Sequence, residues 1–165
     1  MNRKLMCIAS GVAGLGMAWT LTTTIDAAAA EITGTPGDDR LVGTHKNDHI
    51  HGLAGDDVIY GLQRLDRLVG GGGSDEVHGN AGSDQLYGSR GRDDLHAGRG
   101  TDYAEPGRGA DRVWLRRHAD HVVLTRDGRS DVIRCGRGQD LVSYHNARDP
   151  LDQLFGCEVI EDHVL

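Results

Sequence analysis

Aromatic residues are scarce in this chain: two tryptophans, four tyrosines and one phenylalanine among 165 residues. Without them the chain cannot build the wide core that an ordinary domain of this length buries. Proline and cysteine each occur only three times, which excludes a proline-rich spacer and a densely cross-linked mini-protein. Basic charge is in deficit, with 18 Lys and Arg against 25 Asp and Glu and a net charge of −7. No nucleic-acid partner held through its phosphates is expected of such a balance.

Long uncharged stretches are almost absent too, and the one that exists opens the chain. Arg3 and Lys4 precede an uncharged run from Leu5 to Ile25, and Ala27-Ala28-Ala29-Ala30 follows it. Basic start, apolar middle and Ala-x-Ala end are the layout of a secretory signal peptide, whose removal would leave Glu31 at the N-terminus. The run is long enough to span a membrane, but its glycines, threonines and alanine-rich end favour cleavage over anchoring. Residues 1–30 are therefore read as an address, and the product as secreted and extracellular, with no membrane span after cleavage. Only Cys135 and Cys157 then remain. Two thiols in an oxidising compartment predict one disulfide, and a zinc site would need more ligands at tighter spacing.

What is abundant is glycine, 25 residues, and aspartate in strict phase. Asp39, Asp48, Asp57, Asp66, Asp75, Asp84, Asp93, Asp102, Asp111 and Asp120 recur every nine residues, and after a two-residue slip Asp131 and Asp140 resume. An apolar residue follows each by two places, from Leu41 and Ile50 through to Ile133 and Val142, with Ala104 the smallest. Glycine precedes the aspartate by two places at 37, 55, 73, 82, 91, 100 and 109, and opens the unit at 34, 43, 52, 61, 70, 79 and 88. The unit reads Gly-x-x-Gly-x-Asp-x-apolar-x, best seen in Gly70-Gly71-Gly72-Gly73-Ser74-Asp75-Glu76-Val77-His78.

Six glycine-rich residues suit a tight turn through left-handed backbone, and three remain for a short strand with its middle side chain inward. Two units then make one coil, with a strand on each side and a turn at each end. Turns one coil apart lie about 4.8 Å from each other, so their carboxylates and free carbonyls face a common gap. A hard cation taking six to eight oxygens suits that gap, and calcium is the natural candidate.

The unit resembles the nonapeptide of the RTX, or haemolysin-type, calcium-binding repeats over about 34–143, with a degenerate stretch at 115–134. The resemblance implies an all-β fold, a parallel β-roll or β-helix solenoid, here of about five to six coils. It also implies that the turn aspartates and the carbonyls of neighbouring turns hold Ca2+. The stretch from Cys135 to Val142 followed by Cys157-Glu158-Val159 resembles the endings of small secreted actinobacterial repeat proteins, which supports the disulfide and a C-terminal cap. The expected organisation is a signal peptide at 1–30, a calcium-binding roll at 31–143 and a disulfide-linked cap at 144–165.

Alternate units fall on opposite edges. The odd edge stacks Asp39, Asp57, Asp75, Asp93 and Asp111, all with the second glycine kept at Gly37, Gly55, Gly73, Gly91 and Gly109. On the even edge that glycine becomes Lys46, Arg64 and His118, and survives only at Gly82 and Gly100, before Asp84 and Asp102. About four ions are expected along the odd edge and about one between the turns of Asp84 and Asp102. The inner rows offer one aliphatic residue per unit, too little to offset the entropy of ordering so much glycine, so calcium binding is expected to be coupled to folding.

Elsewhere the sequence offers less. His78 and His96 share an outward ladder with Val42, Tyr60 and Trp114; zinc there would have only Glu76 and Asp94 to help, and a solvated stack is expected. The Tyr60–Trp114 face is where a cell-surface or glycan partner would dock. Arg90, Arg99, Arg108 and Arg117 occupy the third place of successive units and are expected to pair with nearby carboxylates. No serine elbow or metalloprotease helix is present and the carboxylates are committed to turns, so no enzyme is expected. The reading is a secreted calcium-binding protein, with an extracellular adhesion module as its alternative.

Overall fold

The computed structural model describes residues 29–145 and 147–162; the expected signal peptide, but for its last two residues, lies outside them. The chain enters as β1 (Glu31–Thr33) and β2 (Arg40–Val42). It continues as β3 (His49–Ala54), β4 (Val58–Gln63), β5 (Arg67–Gly73), β6 (Glu76–Ala81), β7 (Gln85–Gly91) and β8 (Asp94–Arg99). Then come β9 (Tyr103–Arg108), β10 (Arg112–Arg117), β11 (His121–Leu124), β12 (Val132–Arg134), β13 (Leu141–Tyr144), β14 (Gln153–Phe155) and β15 (Val159–Asp162). Odd-numbered strands form one sheet of eight and even-numbered strands a second sheet of seven. Every pairing is parallel, and through the regular part of the roll each residue meets its equivalent 18 positions away, as in Ile59↔Val77 and Val77↔Leu95.

This is the expected all-β parallel solenoid, about seven turns long where five to six were expected. The surplus comes from the ends. β1 precedes the first aspartate, and β14 and β15 add a rung beyond residue 143 by pairing with β12 and β13. A disulfide joins Cys135 to Cys157 across 22 positions, with Cα atoms 5.1 Å apart. It ties that last rung to the body of the roll.

The central strands run six or seven residues instead of three. The first residues of each turn keep pairing with the same places one coil away, Leu53 with Gly71 and Ala54 with Gly72, so the ladder extends into the turn. The inner row is as read: Ile50, Ile59, Leu68, Val77, Leu86, Leu95 and their successors are fully buried. A second inner row begins each turn. It is glycine from Gly52 to Gly88, then Ala97, Pro106, Leu115, Leu124, Cys135 and Tyr144, all buried. The core therefore widens toward the C-terminal end, and hydrophobic burial is concentrated where the repeat is least regular.

Candidate metal centre

Each turn delivers its aspartate inward from between a tight glycine-rich bend and the first residue of a strand. On the edge holding the turns before the even-numbered strands, the N–H groups of Asp39, Asp57, Asp75, Asp93, Asp111 and Asp131 each donate to Oδ1 of the aspartate one coil on, at 2.8–3.0 Å. The opposite edge repeats the ladder from Ala30 through Asp48, Asp66, Asp84, Asp102 and Asp120 to Asp140, at 2.7–3.0 Å. One oxygen of every column carboxylate after Asp39 is thereby fixed in direction.

The other oxygen is not satisfied. Oδ2 of Asp57, Asp75, Asp93, Asp111 and Asp152 on one edge, and of Asp66, Asp84, Asp102, Asp120 and Asp140 on the other, is buried without a hydrogen-bond partner. A buried carboxylate oxygen without a donor or cation is costly. The charged forms are correspondingly disfavoured. Burial first, then neighbouring carboxylates, push Asp57, Asp66 and Asp111 up to about 6, although a backbone N–H pulls each back. The same causes push Asp84, Asp93 and Asp120 up to about 7 and Asp131 to about 8.

Carbonyls complete the lining. Gly73, Gly91 and Gly109 hold φ of 142°, 131° and 158°, and a Cβ on any of them would overlap the carbonyl oxygen of Gly55, Gly73 or Gly91 in the coil before. Gly55, at φ 105°, sits against the backbone of Gly37 in the same way. The second glycine is thus needed both for its left-handed backbone and because the previous turn's carbonyl points into its side-chain space. Buried oxygens without donors beside stacked carbonyls are a hard-cation donor set, and they fit calcium.

Several sequence expectations are refined. Asp39 stands in its column, but its Oδ2 already accepts the N–H and hydroxyl of Thr35, and Asp48 is closed likewise by Thr44. The first turn on each edge is therefore sealed by protein donors. The aspartate ladders of the two edges are equivalent, so any difference in metal capacity lies in the rest of the turn. There Arg64 and His118 are forced to φ 73° and 81° in the place of the second glycine, while Gly82 and Gly100 keep the close carbonyl approach around Asp84 and Asp102.

Other acids join that had not been singled out. Asp38 and Asp56 stack beside the main column, with Asp56 N–H on Asp38 Oδ1 and Ser74 N–H on Asp56 Oδ1. At the far end Asp127 and Asp149 accept from Gly109 and Gly128. Asp152 extends the column past Asp131. Asp38 and Asp56 were visible as a pair 18 apart, and Asp152-Gln153-Leu154 repeats the Asp-x-apolar signal after an insertion.

The outward ladder of Tyr60, His78, His96 and Trp114 is a stack, with ring centroids 4.7, 4.7 and 4.3 Å apart and planes within 5°. Glu76, His78 and His96 hold ligand atoms within 4.8 Å of one another. Parallel rings send their lone pairs side by side and do not converge them on one ion. The same stacking covers both faces of His78 and His96 and one face of Trp114, and Arg40 lies over the Tyr60 ring.

A family model for the RTX calcium-binding nonapeptide repeat matches the chain in four copies, over residues 33–63, 69–104 and 78–113. Residues 33–113 thus carry RTX-type calcium-binding nonapeptide repeats. None of the curated proteins compared with it matches the chain. No helix among the described residues is long and apolar enough to cross a membrane.

Proposed function

We propose that this is a secreted calcium-binding protein whose β-roll folds as calcium enters between stacked turns. The observation that carries the reading is the set of buried Oδ2 atoms without partners, repeated along both columns of a chain whose residues 33–113 match a calcium-binding repeat. The main run of ions lies along Asp57, Asp75, Asp93 and Asp111, with carbonyls of Gly55, Gly73, Gly91 and Gly109 beside them. One further site lies between the turns of Asp84 and Asp102. Bound calcium supplies the positive charge that lets these carboxylates stay ionised while buried. The residues' own part is to fix one oxygen of each carboxylate through a backbone N–H and leave the other for the ion.

The signal peptide expected at 1–30 agrees with this reading, since calcium is plentiful outside cells, and the disulfide suits an oxidising compartment. The activity is binding, not catalysis. As for the adhesion alternative, ring stacking between neighbours leaves the far side of Trp114 as the ring face of the Tyr60–Trp114 ladder with no ring against it. The test is a calcium titration of the chelated full chain followed by far-UV circular dichroism, with magnesium as control. A cooperative, calcium-specific rise in β-structure is expected. A chain equally structured in chelator and indifferent to calcium would overturn the reading, and detection of the chain only inside producing cells would overturn its secretion.

A further inference from the structure

The flanks of the roll are charged, and its apolar surface lies at the ends. Arg90, Arg99, Arg108 and Arg117 are exposed without the carboxylate partners expected of them; ion pairs among the described residues form elsewhere, at Arg112–Asp94, His78–Glu76 and His145–Glu105. Six large apolar side chains are exposed, and four of them belong to the terminal coils: Val42 in β2, Leu151 just before β14, Phe155 in β14 and Ile160 in β15. The inner row agrees. It is fully buried from Ile50 to Val142, whereas Ile32 and Leu41 at one end and Leu154 at the other are only partly covered, and Ile160 is 41% exposed.

The backbone is open at the same places. β1 and β2 pair on one side only, as do β14 and β15, and an unpaired strand edge is a template for another strand. Asp39 heads its column: its Oδ2 is closed by Thr35, but among the described residues its Oδ1 accepts no N–H from a coil before it, as Asp57 accepts that of Asp39. Every coil inside the roll is covered by a coil of the same shape, and only the outer ones are bare.

We infer that a second copy of this chain covers these ends, first coil against last. What each end lacks, a parallel strand in register with an apolar residue at its centre, is what the other end presents. The fifteen strands are an odd number, so β1 and β15 lie in the same sheet. A copy set straight on top would place β1 over β15 and leave β14 bare. Given half a turn about the roll axis, it places β1 on β14 and β2 on β15, repeating the step that leads from each nine-residue unit to the next. Continuing the registers Ile133↔Leu154 and Val142↔Ile160, Ile32 then meets Leu154, Leu41 meets Ile160 and Thr33 lies beside Phe155. Unlike ends in contact do not close a ring, so copies add in a row. Both terminal coils carry more acid than base, so strand pairing and apolar burial act against charge, and added salt strengthens the contact. This goes beyond calcium binding and needs only the folded roll.

One coil's face is smaller than a standard interface, so the contact is weak, and the calcium-saturated full chain is followed by sedimentation velocity up to about 1 mM. Its average mass is expected to rise with concentration, and with salt at fixed concentration. Ile32→Lys blocks the first coil in one variant and Ile160→Lys the last coil in another, each weakening self-association by about tenfold or more. Mixed together, the two variants are expected to form a dimer and nothing larger, through the one unblocked end of each; a misfolded variant could not do so. Leu53→Lys with Leu65→Lys, at the exposed apolar residues of the second coil, should associate like the parent. A parent that stays monomeric throughout, a mixture that stays monomeric, or a second-coil variant as impaired as the blocked ones would overturn the inference. Thr33→Cys mixed with Phe155→Cys should oxidise to a cross-linked dimer; cross-linking of Thr33→Cys to Glu161→Cys in its place would overturn the half turn.

Discussion

Asp75 donates its backbone N–H to Oδ1 of Asp93 at 2.9 Å, while Oδ2 of the same Asp93 lies beside Gly88 and accepts nothing. One atom of the carboxylate belongs to the scaffold and the other to a ligand, which allows the two roles to be separated by mutation.

Asp93→Asn keeps an oxygen for the Asp75 N–H and removes the charge. It is expected to raise the calcium midpoint of folding by about tenfold, whereas Asp39→Asn, already closed by Thr35, should shift it by less than about threefold. Asp75→Asn should likewise exceed Asp66→Asn, whose turn carries Arg64 at φ 73°. Calcium titrations monitored by circular dichroism compare all four; equal shifts would deny the distinction.

Gly91 and Gly72 form a second contrast. A Cβ on Gly91 would overlap the carbonyl oxygen of Gly73, at a φ of 131°, while a Cβ on Gly72 meets nothing within 4 Å. Gly91→Ala is expected to cost about 2–4 kcal/mol in the calcium-bound roll and Gly72→Ala about 0.5 kcal/mol or less. Denaturant unfolding at fixed free calcium measures both.

Acid should stand in for calcium. Asp57, Asp66, Asp84, Asp93, Asp111, Asp120 and Asp131 hold pKa values raised from 3.8 to between about 6 and about 8 in the folded roll, from Asp57 at the low end to Asp131 at the high end. Between those limits the folded state binds more protons than the unfolded one, so stability without calcium falls as pH rises. The chelated chain is expected to be most structured below about pH 4 and to lose structure progressively toward pH 7–8. Calcium affinity should run the opposite way, weakening as pH falls through the same window. Circular dichroism of the chelated chain across pH decides it; structure that increases with pH would reverse the assigned sign.

Breaking the cross-link tests the last rung. With 22 positions between Cys135 and Cys157, Cys135→Ser with Cys157→Ser should cost about 3 kcal/mol. Hydrogen exchange should then show β14 and β15 opening before β6 and β8.

Much of this was legible in the sequence because a solenoid converts period into place. The phase of Asp39 to Asp120 predicted the columns, and the residue two further on predicted the buried row from Ile50 to Val142. What escaped notice has local causes. Leu53, Leu62, Asn80, Ser89 and Arg116 occupy the second place of their turns at φ of 72–91°; without glycine there, nothing in the residue types announced a left-handed backbone. The insertion before Asp152 broke the count, so the final rung read as a tail. Leu115, Leu124 and Tyr144 lost their phase signal by replacing glycine, yet they point inward all the same. The pairing fate of the arginines depended on where the aspartate carboxylates turned, which spacing alone does not tell.

The register of 18 residues has a consequence for how such a molecule changes length. Almost every residue's partner is its own counterpart in the next coil, so deleting residues 70–87 would remove one storey and rejoin equivalent surfaces on either side. Deleting nine would not be half as mild. It would transpose the two edges for everything downstream, setting arginine tips over acidic ones at a single seam while the aspartate columns themselves ran on unbroken. Heredity can therefore lengthen or shorten this protein freely, but only in whole storeys.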